Sequence, residues 1–162
     1  MLEEFEKYIS TYDLDQGYMK LKHDHSVRVM ELMGKYALEL GFSEDDVELA
    51  KLIGLLHDIG RFEQYKVFGS DVDHETVDHA DYSVVQLFDK NEIKLFTDRE
   101  DWYPIIEFAI KNHNKRLMAD CNDERVLKFA KLIRDIDKLC FYDSNKTWFD
   151  KSEDLEIDIR IM

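Results

Sequence analysis

The sequence predicts an all-α fold, a compact helical bundle with a short β-like segment at its C-terminus. Three observations predict it. The 162 residues hold one proline and six glycines, so few positions interrupt a helix. Apolar residues recur at spacings of three and four along most of the chain. Period two appears only near the end, where Leu155, Ile157, Ile159 and Ile161 alternate with Glu156, Asp158 and Arg160. The length is that of one domain, residues 1–162, which can bury about 70% of its unfolded surface without a disulfide or zinc knot. With 44% hydrophobic and 12% aromatic residues it is too apolar to be disordered.

Leu2, Phe5, Ile9 and Tyr12 give an amphipathic first helix, and Asp13 to Gly17 a turn. A second helix is expected from about Gln16 to Leu40, with Met30, Met33, Ala37 and Leu40 on one face and Gly41 as its stop. Ser43 caps a third, with Asp46 as a capping-box-like partner; it runs from Glu44 to about Asp58, and Gly60 ends it. Residues 61–76 read as a long loop carrying Phe62, Tyr65, Phe68, Asp71 and Asp73. A helix from about Thr76 to Asp89 follows, then a connection over 90–103 with some helical turns. Pro104 opens a helix from Ile105 to His113. The last strong helix spans about Glu124 to Phe141, with Val126, Phe129, Ala130, Ile133, Ile136 and Cys140 on its apolar side. The terminal strand needs a partner, from residues 142–150 as a hairpin or from a second chain. Its pattern runs to the last residue, so a fragment of a longer chain is one expectation.

The 36 acidic and 22 basic residues leave a formal charge of −14. That argues against a protein that coats nucleic acid or anionic lipid. It does not argue against divalent cations, which an acidic field attracts. Most of the acid is read as solvated surface. Cys121 and Cys140 form no CxxC, no apolar run reaches membrane-spanning length, and the acidic N-terminus lacks signal-peptide features. A reducing, cytoplasmic setting is therefore expected.

Polar groups interrupt the apolar frames at particular points. His25 lies in His25-Ser26-Val27-Arg28-Val29, and His57 and Asp58 in Gly54-Leu55-Leu56-His57-Asp58-Ile59-Gly60. His79 opens the segment before Ala80, and His113 follows Ala109 by four and Ile106 by seven. Asp137 stands in the same relation to Ile133 and Ala130, so it projects along a core stripe. A carboxylate there is costly unless paired or bound to metal. A lone histidine on an apolar face is ordinarily a hydrogen-bonded core residue, and Asp137 alone is accounted for by Arg134 or Lys138. Their coincidence on five helical segments favours a metal site. Imidazole with carboxylate suits Zn, Fe, Mn, Ni or Co better than Ca, and helical bundles hold such sites.

The order His25, His57-Asp58, His79, His113, Asp137 resembles that of the HD-domain superfamily of metal-dependent phosphohydrolases. The frames around His25, His57-Asp58 and Asp135-Ile136-Asp137-Lys138-Leu139 match too, over about residues 20–141. Residues 142–162 lie outside the resemblance, where relatives continue in helix. It implies an HD-type bundle in which His25, His57, Asp58 and Asp137 hold one metal. His79 and His113 imply a second, with Asp58 bridging, or else contact the substrate phosphate directly. Asp137 is preferred over Asp135 because the family ligand precedes a basic residue and leucine; Asp135 would stand behind it. The implied cofactor is one or two divalent ions (Fe, Mn, Zn, Ni or Co, with Mg admitted).

The implied reaction cleaves a phosphomonoester, phosphodiester or phosphoanhydride bond of a small substrate, a nucleotide, by metal-activated hydroxide, with Asp58 as catalytic residue. Arg61 and Lys115 are candidate substrate-binding cations, though each reads equally well as solvated surface. Lys22 and Lys138 are weaker candidates, and Glu63 a candidate for proton transfer. His23 and His74 read as surface, with His74 near the mouth. Expected partners are a small phosphorylated substrate but no nucleic acid polymer and no membrane, with a homodimer left open. Two other readings compete: a non-catalytic metal- or nucleotide-binding regulatory module, and a di-iron oxygenase of the same ligand order.

Overall fold

A computed structural model describes the backbone of residues 1–146 and the side chains of residues 1–140. It is all-α, and no strand occurs among the described residues. The helices are α1 (Leu2–Ile9), α2 (Gly17–Glu39), α3 (Glu44–Leu56), α4 (Gly60–Phe68), α5 (His79–Val84), α6 (Tyr103–Asn112) and α7 (Glu124–Lys146). The chain leaves α5 through a π turn, Val85–Asp89, and reaches α6 through 3₁₀ turns at Glu92–Leu95 and Glu100–Trp102. The terminal alternation lies outside the described residues; of the hairpin partner expected over 142–150, residues 142–146 are instead helical, as the end of α7, and 147–150 lie outside the described residues. No helix among the described residues is long and apolar enough to cross a membrane.

The centre of the bundle is α3. It starts where Ser43 Oγ accepts from Asp46 N at 3.1 Å, after α2 stops at Gly41 with φ +76°. Every residue from Leu52 to Gly60 is buried, the mark of a helix apolar all round rather than on one stripe. Helix α2 lies along α3, α7 along α6, and α5 bridges α4 and α6. Phe5 and Ile9 of α1 are fully buried, and the Phe5 ring meets Phe62 edge-on at 6.1 Å. Each such buried side chain contributes about 1.5–3 kcal/mol, so α1 closes the α4 side of the core rather than trailing from it.

Residues 61–76 are not a loop. Helix α4 occupies Gly60–Phe68 and ends at Gly69, φ +67°, and a 3₁₀ turn at Asp73–Glu75 follows. Gly60 is therefore the first residue of a helix and not the stop of the one before. Its backbone N–H donates to Ser83 Oγ at 2.9 Å, and an added Cβ would lie 2.5 Å from Ser83 N. Glycine is needed there for the close approach of α5. The chain turns between α3 and α4 through Ile59 N–H to Leu56 O and Arg61 N–H to Asp58 O, at 3.1 and 2.9 Å. Helix α5 starts at His79, later than Thr76, because Asp78 caps it by accepting from Ala80 N and Asp81 N at 2.9 and 3.0 Å. Helix α7 continues past Phe141 to Lys146.

Candidate metal centre

The bundle brings residues from α2, α3, α5, α6 and α7 or their ends to a common point. His25 comes from the third turn of α2, His57 and Asp58 from the turn after α3, His79 from the start of α5, His113 from the residue after α6, and Asp137 from the middle of α7. Asp58 stands between two groups. Its Oδ2 faces His25 Nε2 at 3.9 Å and His57 Nε2 at 3.7 Å. Its Oδ1 faces His79 Nε2 at 3.5 Å and His113 Nε2 at 3.6 Å. Asp137 Oδ1 closes the first group, 3.0 Å from His25 Nε2 and 3.5 Å from His57 Nε2. The donor atoms of His25, His57 and Asp58, and those of Asp58, His79 and His113, each lie within 4.8 Å of one another.

These groups fit a divalent cation. His57 Nδ1–H donates to Gly54 O and His113 Nδ1–H to Ile110 O, both at 2.7 Å, and His79 Nδ1 meets Asp73 Oδ2 at 2.5 Å. A histidine that donates through Nδ1 turns its Nε2 lone pair outward, as a ligand must. The Nε2 atoms of His79 and His113 stand 3.1 Å apart, and those of His25 and His57 3.3 Å apart. The lone pairs of His79 and His113, which face each other at that distance, repel unless a positive charge lies between or beside them. Asp58 Oδ1, fully buried, has no hydrogen-bond partner in the protein. A buried oxygen of this kind costs several kcal/mol unless a cation satisfies it.

The electrostatics agree. Burial pushes the Asp58 carboxyl up, but Lys22 and the imidazoles of His57, His113 and His79 outweigh it and hold the group well below the carboxylate range. Asp137 is likewise held low, burial being overcome by the facing imidazoles of His25 and His57. Burial lowers His25, yet Asp137 and Cys140 bring it above its ordinary value. Burial lowers His79, and the opposing field of Asp58 does not restore it.

The candidate substrate-binding cations are held by neighbouring acids. Arg61 borders the cavity, but its Nη1 donates to Asp71 O, Asp73 Oδ1 and Gln64 Oε1 at 2.6, 2.7 and 3.0 Å. It therefore braces Asp73, whose other oxygen holds His79. Lys115 is not among the lining residues; it pairs with Asp78 at 2.7 Å and Asp81 at 2.9 Å, at the start of α5. Asp135 is exposed on α7, because two residues along a helix turn the side chain through about 200° from Asp137. His23 pairs with Glu6 at 2.9 Å, and His74 is 83% exposed. Glu63 accepts from Tyr12 Oη at 2.9 Å, on the α1 side of α4.

Several contributors carried no spacing signal. Asp73 lies in a connection and reaches His79 only through the tertiary fold, and Gln64 joins it at 3.2 Å. Cys140, one helical turn past Asp137, places Sγ 3.5 Å from His25 Nδ1. Lys22 did have a signal, since it sits three residues before His25 on the same face of α2, and its Nζ is 2.8 Å from Asp58 Oδ2. Lys22, His25, Arg28, Asp58, Arg61, His79, Asp137 and Lys138 border one cavity of about 780 Å³, together with Tyr18 and Leu21.

Among curated proteins the chain is similar to Ribonuclease Y of Protochlamydia amoebophila, 46% identical over 56 residues, covering 35% of this chain and 10% of that protein. Ribonuclease Y of Enterococcus faecalis is 48% identical over 50 residues, 31% of this chain and 9% of the relative. That of Acetivibrio thermocellus is 52% identical over 48 residues, 30% and 9% respectively. The chain thus spans about a tenth of the length of these relatives. No solved structure gives a significant match. The HD domain pattern matches residues 23–141. That stretch begins just before His25 and ends just after Cys140, taking in the whole imidazole–carboxylate cluster, and the chain belongs to the HD-domain family.

Proposed function

We propose that this protein is a metal-dependent phosphohydrolase acting on a small phosphorylated substrate, a nucleotide, at a phosphomonoester, phosphodiester or phosphoanhydride bond. One observation carries the reading: the buried Asp58 carboxylate turns one oxygen to His25 and His57 and the other to His79 and His113. In this reading His25, His57, Asp58 and Asp137 hold one divalent ion, and His79 and His113 share Asp58 with a second. Bound ions of this kind bring the pKa of water to about 7 and stabilise charge on a transferring phosphoryl group. The residues themselves position and tune. Asp58 stays ionised under its surrounding positive charge. The Nδ1 contacts of His57, His79 and His113 fix ring orientation and basicity.

The cavity, about 780 Å³, falls in the range that small ligands occupy. The relatives named ribonucleases act on RNA, which supports phosphoester cleavage as the chemistry. Cys121 and Cys140 form no disulfide, which fits a reducing cytoplasm. The test is turnover of mono-, di- and cyclic nucleotides, with an RNA oligonucleotide alongside, after loading with Mn, Fe, Co or Ni. Release of phosphate or nucleoside that His57→Ala and Asp58→Ala abolish is the expected result. Inactivity across that panel overturns the proposal. Tight nucleotide binding without turnover would instead mark a regulatory module, and oxygen consumption by the iron-loaded protein an oxygenase.

A further inference from the structure

The Lys22 ammonium occupies the place where a metal would make its first demand. Its Nζ lies 2.8 Å from Asp58 Oδ2, the oxygen directed at His25 and His57, and its side chain is 19% exposed, on the cavity wall. An ammonium and a divalent ion compete for the same lone pairs, and at that separation they repel. Arg61 and Lys115 are committed elsewhere, to Asp73 and to Asp78 and Asp81. Lys22 has as its partner a group that the cation takes over. Its flexible stem then leaves the charge one helical turn from His25, against the space where a phosphate would meet the ions.

We propose that Lys22 is an internal counter-ion that a divalent cation displaces from Asp58, and that the released ammonium grips the substrate phosphate. Before loading it offsets the cost of the buried carboxylate, and after loading it supplies a charge-assisted hydrogen bond to an anion. The inference rests on the metal reading above, but its test needs no turnover.

Mn²⁺ binding is measured by calorimetry for the unaltered protein, Lys22→Met and Lys22→Arg, and inorganic phosphate is then titrated into each Mn²⁺-loaded protein. In Lys22→Met the Mn²⁺ Kd should fall by about tenfold, because a like charge is removed. Phosphate should bind it about tenfold more weakly, because a charged hydrogen bond is lost. Lys22→Arg keeps both values near those of the unaltered protein. A purely structural lysine would weaken both together. On the unaltered protein, acetic anhydride labelling read by mass spectrometry gives an independent measurement: Mn²⁺ should raise modification at Lys22 and phosphate should suppress it again. An unchanged or weakened Mn²⁺ affinity in Lys22→Met, or labelling at Lys22 indifferent to Mn²⁺, overturns the displacement. An unchanged phosphate affinity overturns the grip. If the unaltered protein binds no Mn²⁺ at all, the metal reading falls and this inference with it.

Discussion

Gly60→Ala adds a single methyl between the Asp58 turn and the helix that carries His79. The new Cβ would stand 2.5 Å from Ser83 N, 2.8 Å from Ser83 Oγ and 2.9 Å from His79 O. Two of those atoms are backbone, so no side chain can swing aside, and α5 must retreat by about 1 Å to reach ordinary contact. Overpacking of this kind costs about 1–3 kcal/mol. Loss of the Gly60 N–H to Ser83 Oγ bond, 2.9 Å in the native protein, adds about 1 kcal/mol. A chain of this size loses about 2–4 °C of melting temperature per kcal/mol, which puts the drop at about 5–15 °C. The displacement also separates His79 from Asp58, whose Nε2–Oδ1 distance is 3.5 Å. A 1 Å shift is several times the tolerance of about 0.2 Å for metal–ligand distances, so a second ion should be lost while His25, His57 and Asp137 still hold the first. Melting followed by circular dichroism, and Mn per chain measured after equilibrium dialysis, check both effects. Gly17→Ala is the control, since nothing lies within 4 Å of its Cβ. A Gly60→Ala protein that melts and binds Mn as the native one does would refute the reasoning.

Asp73→Asn removes the carboxylate from His79 Nδ1 and should weaken the second ion's binding by about 10–100-fold in calorimetry, leaving the first ion's affinity unchanged. Asp78→Ala removes the cap of α5 and should cost about 1 kcal/mol at pH 7 by chemical denaturation. Burial raises the Asp78 carboxyl, but Lys115, the α5 backbone and Asn114 outweigh it and hold the group low. A folded-state pKa below the unfolded value contributes stability above about pH 4 that is lost as pH falls. The deficit of Asp78→Ala should therefore shrink in acid; a deficit constant from pH 7 to 3 would refute the assignment. Saturating Mn²⁺ at about 100 times its Kd should stabilise the native protein by about 2.7 kcal/mol, an increment absent from Asp58→Ala.

The imidazole–carboxylate cluster was legible in the sequence because its members break apolar frames. Asp137 after Ile133 and His113 after Ala109 could not face solvent without turning their helices over. Helices α2, α3 and α7 were legible for the same reason, being long enough for their period to outweigh local noise. Helix α4 was not, because Gly60 looks like a stop and its actual role, admitting Ser83, is set by a residue 23 positions later. The fate of Arg61 and Lys115 was equally hidden, since their partners come from a turn and a helix cap that only the tertiary fold brings close. The placement of Asp135 was available from helical geometry alone: at 100° per residue it cannot share a face with Asp137.

The net charge of −14 and the anionic substrate proposed above would be reconciled by distance. At physiological ionic strength a charge more than about 8 Å away through solvent is largely screened, so a small anion in the cavity responds to its walls. Within those walls the imidazoles face Asp58 and Asp137, and Lys22, Arg28, Arg61 and Lys138 also line the space. A polymer differs in kind. Its charges beyond the scissile phosphate extend over the outer surface, past Asp24 and Asp71 at the cavity, where each phosphate needs a cation to replace its counterion. The chain has 36 acidic against 22 basic residues with which to meet them. On the proposed reading, each further phosphate along a strand would meet a less favourable surface than the first, which is the ground for proposing a small substrate although the chain is similar to proteins named as ribonucleases.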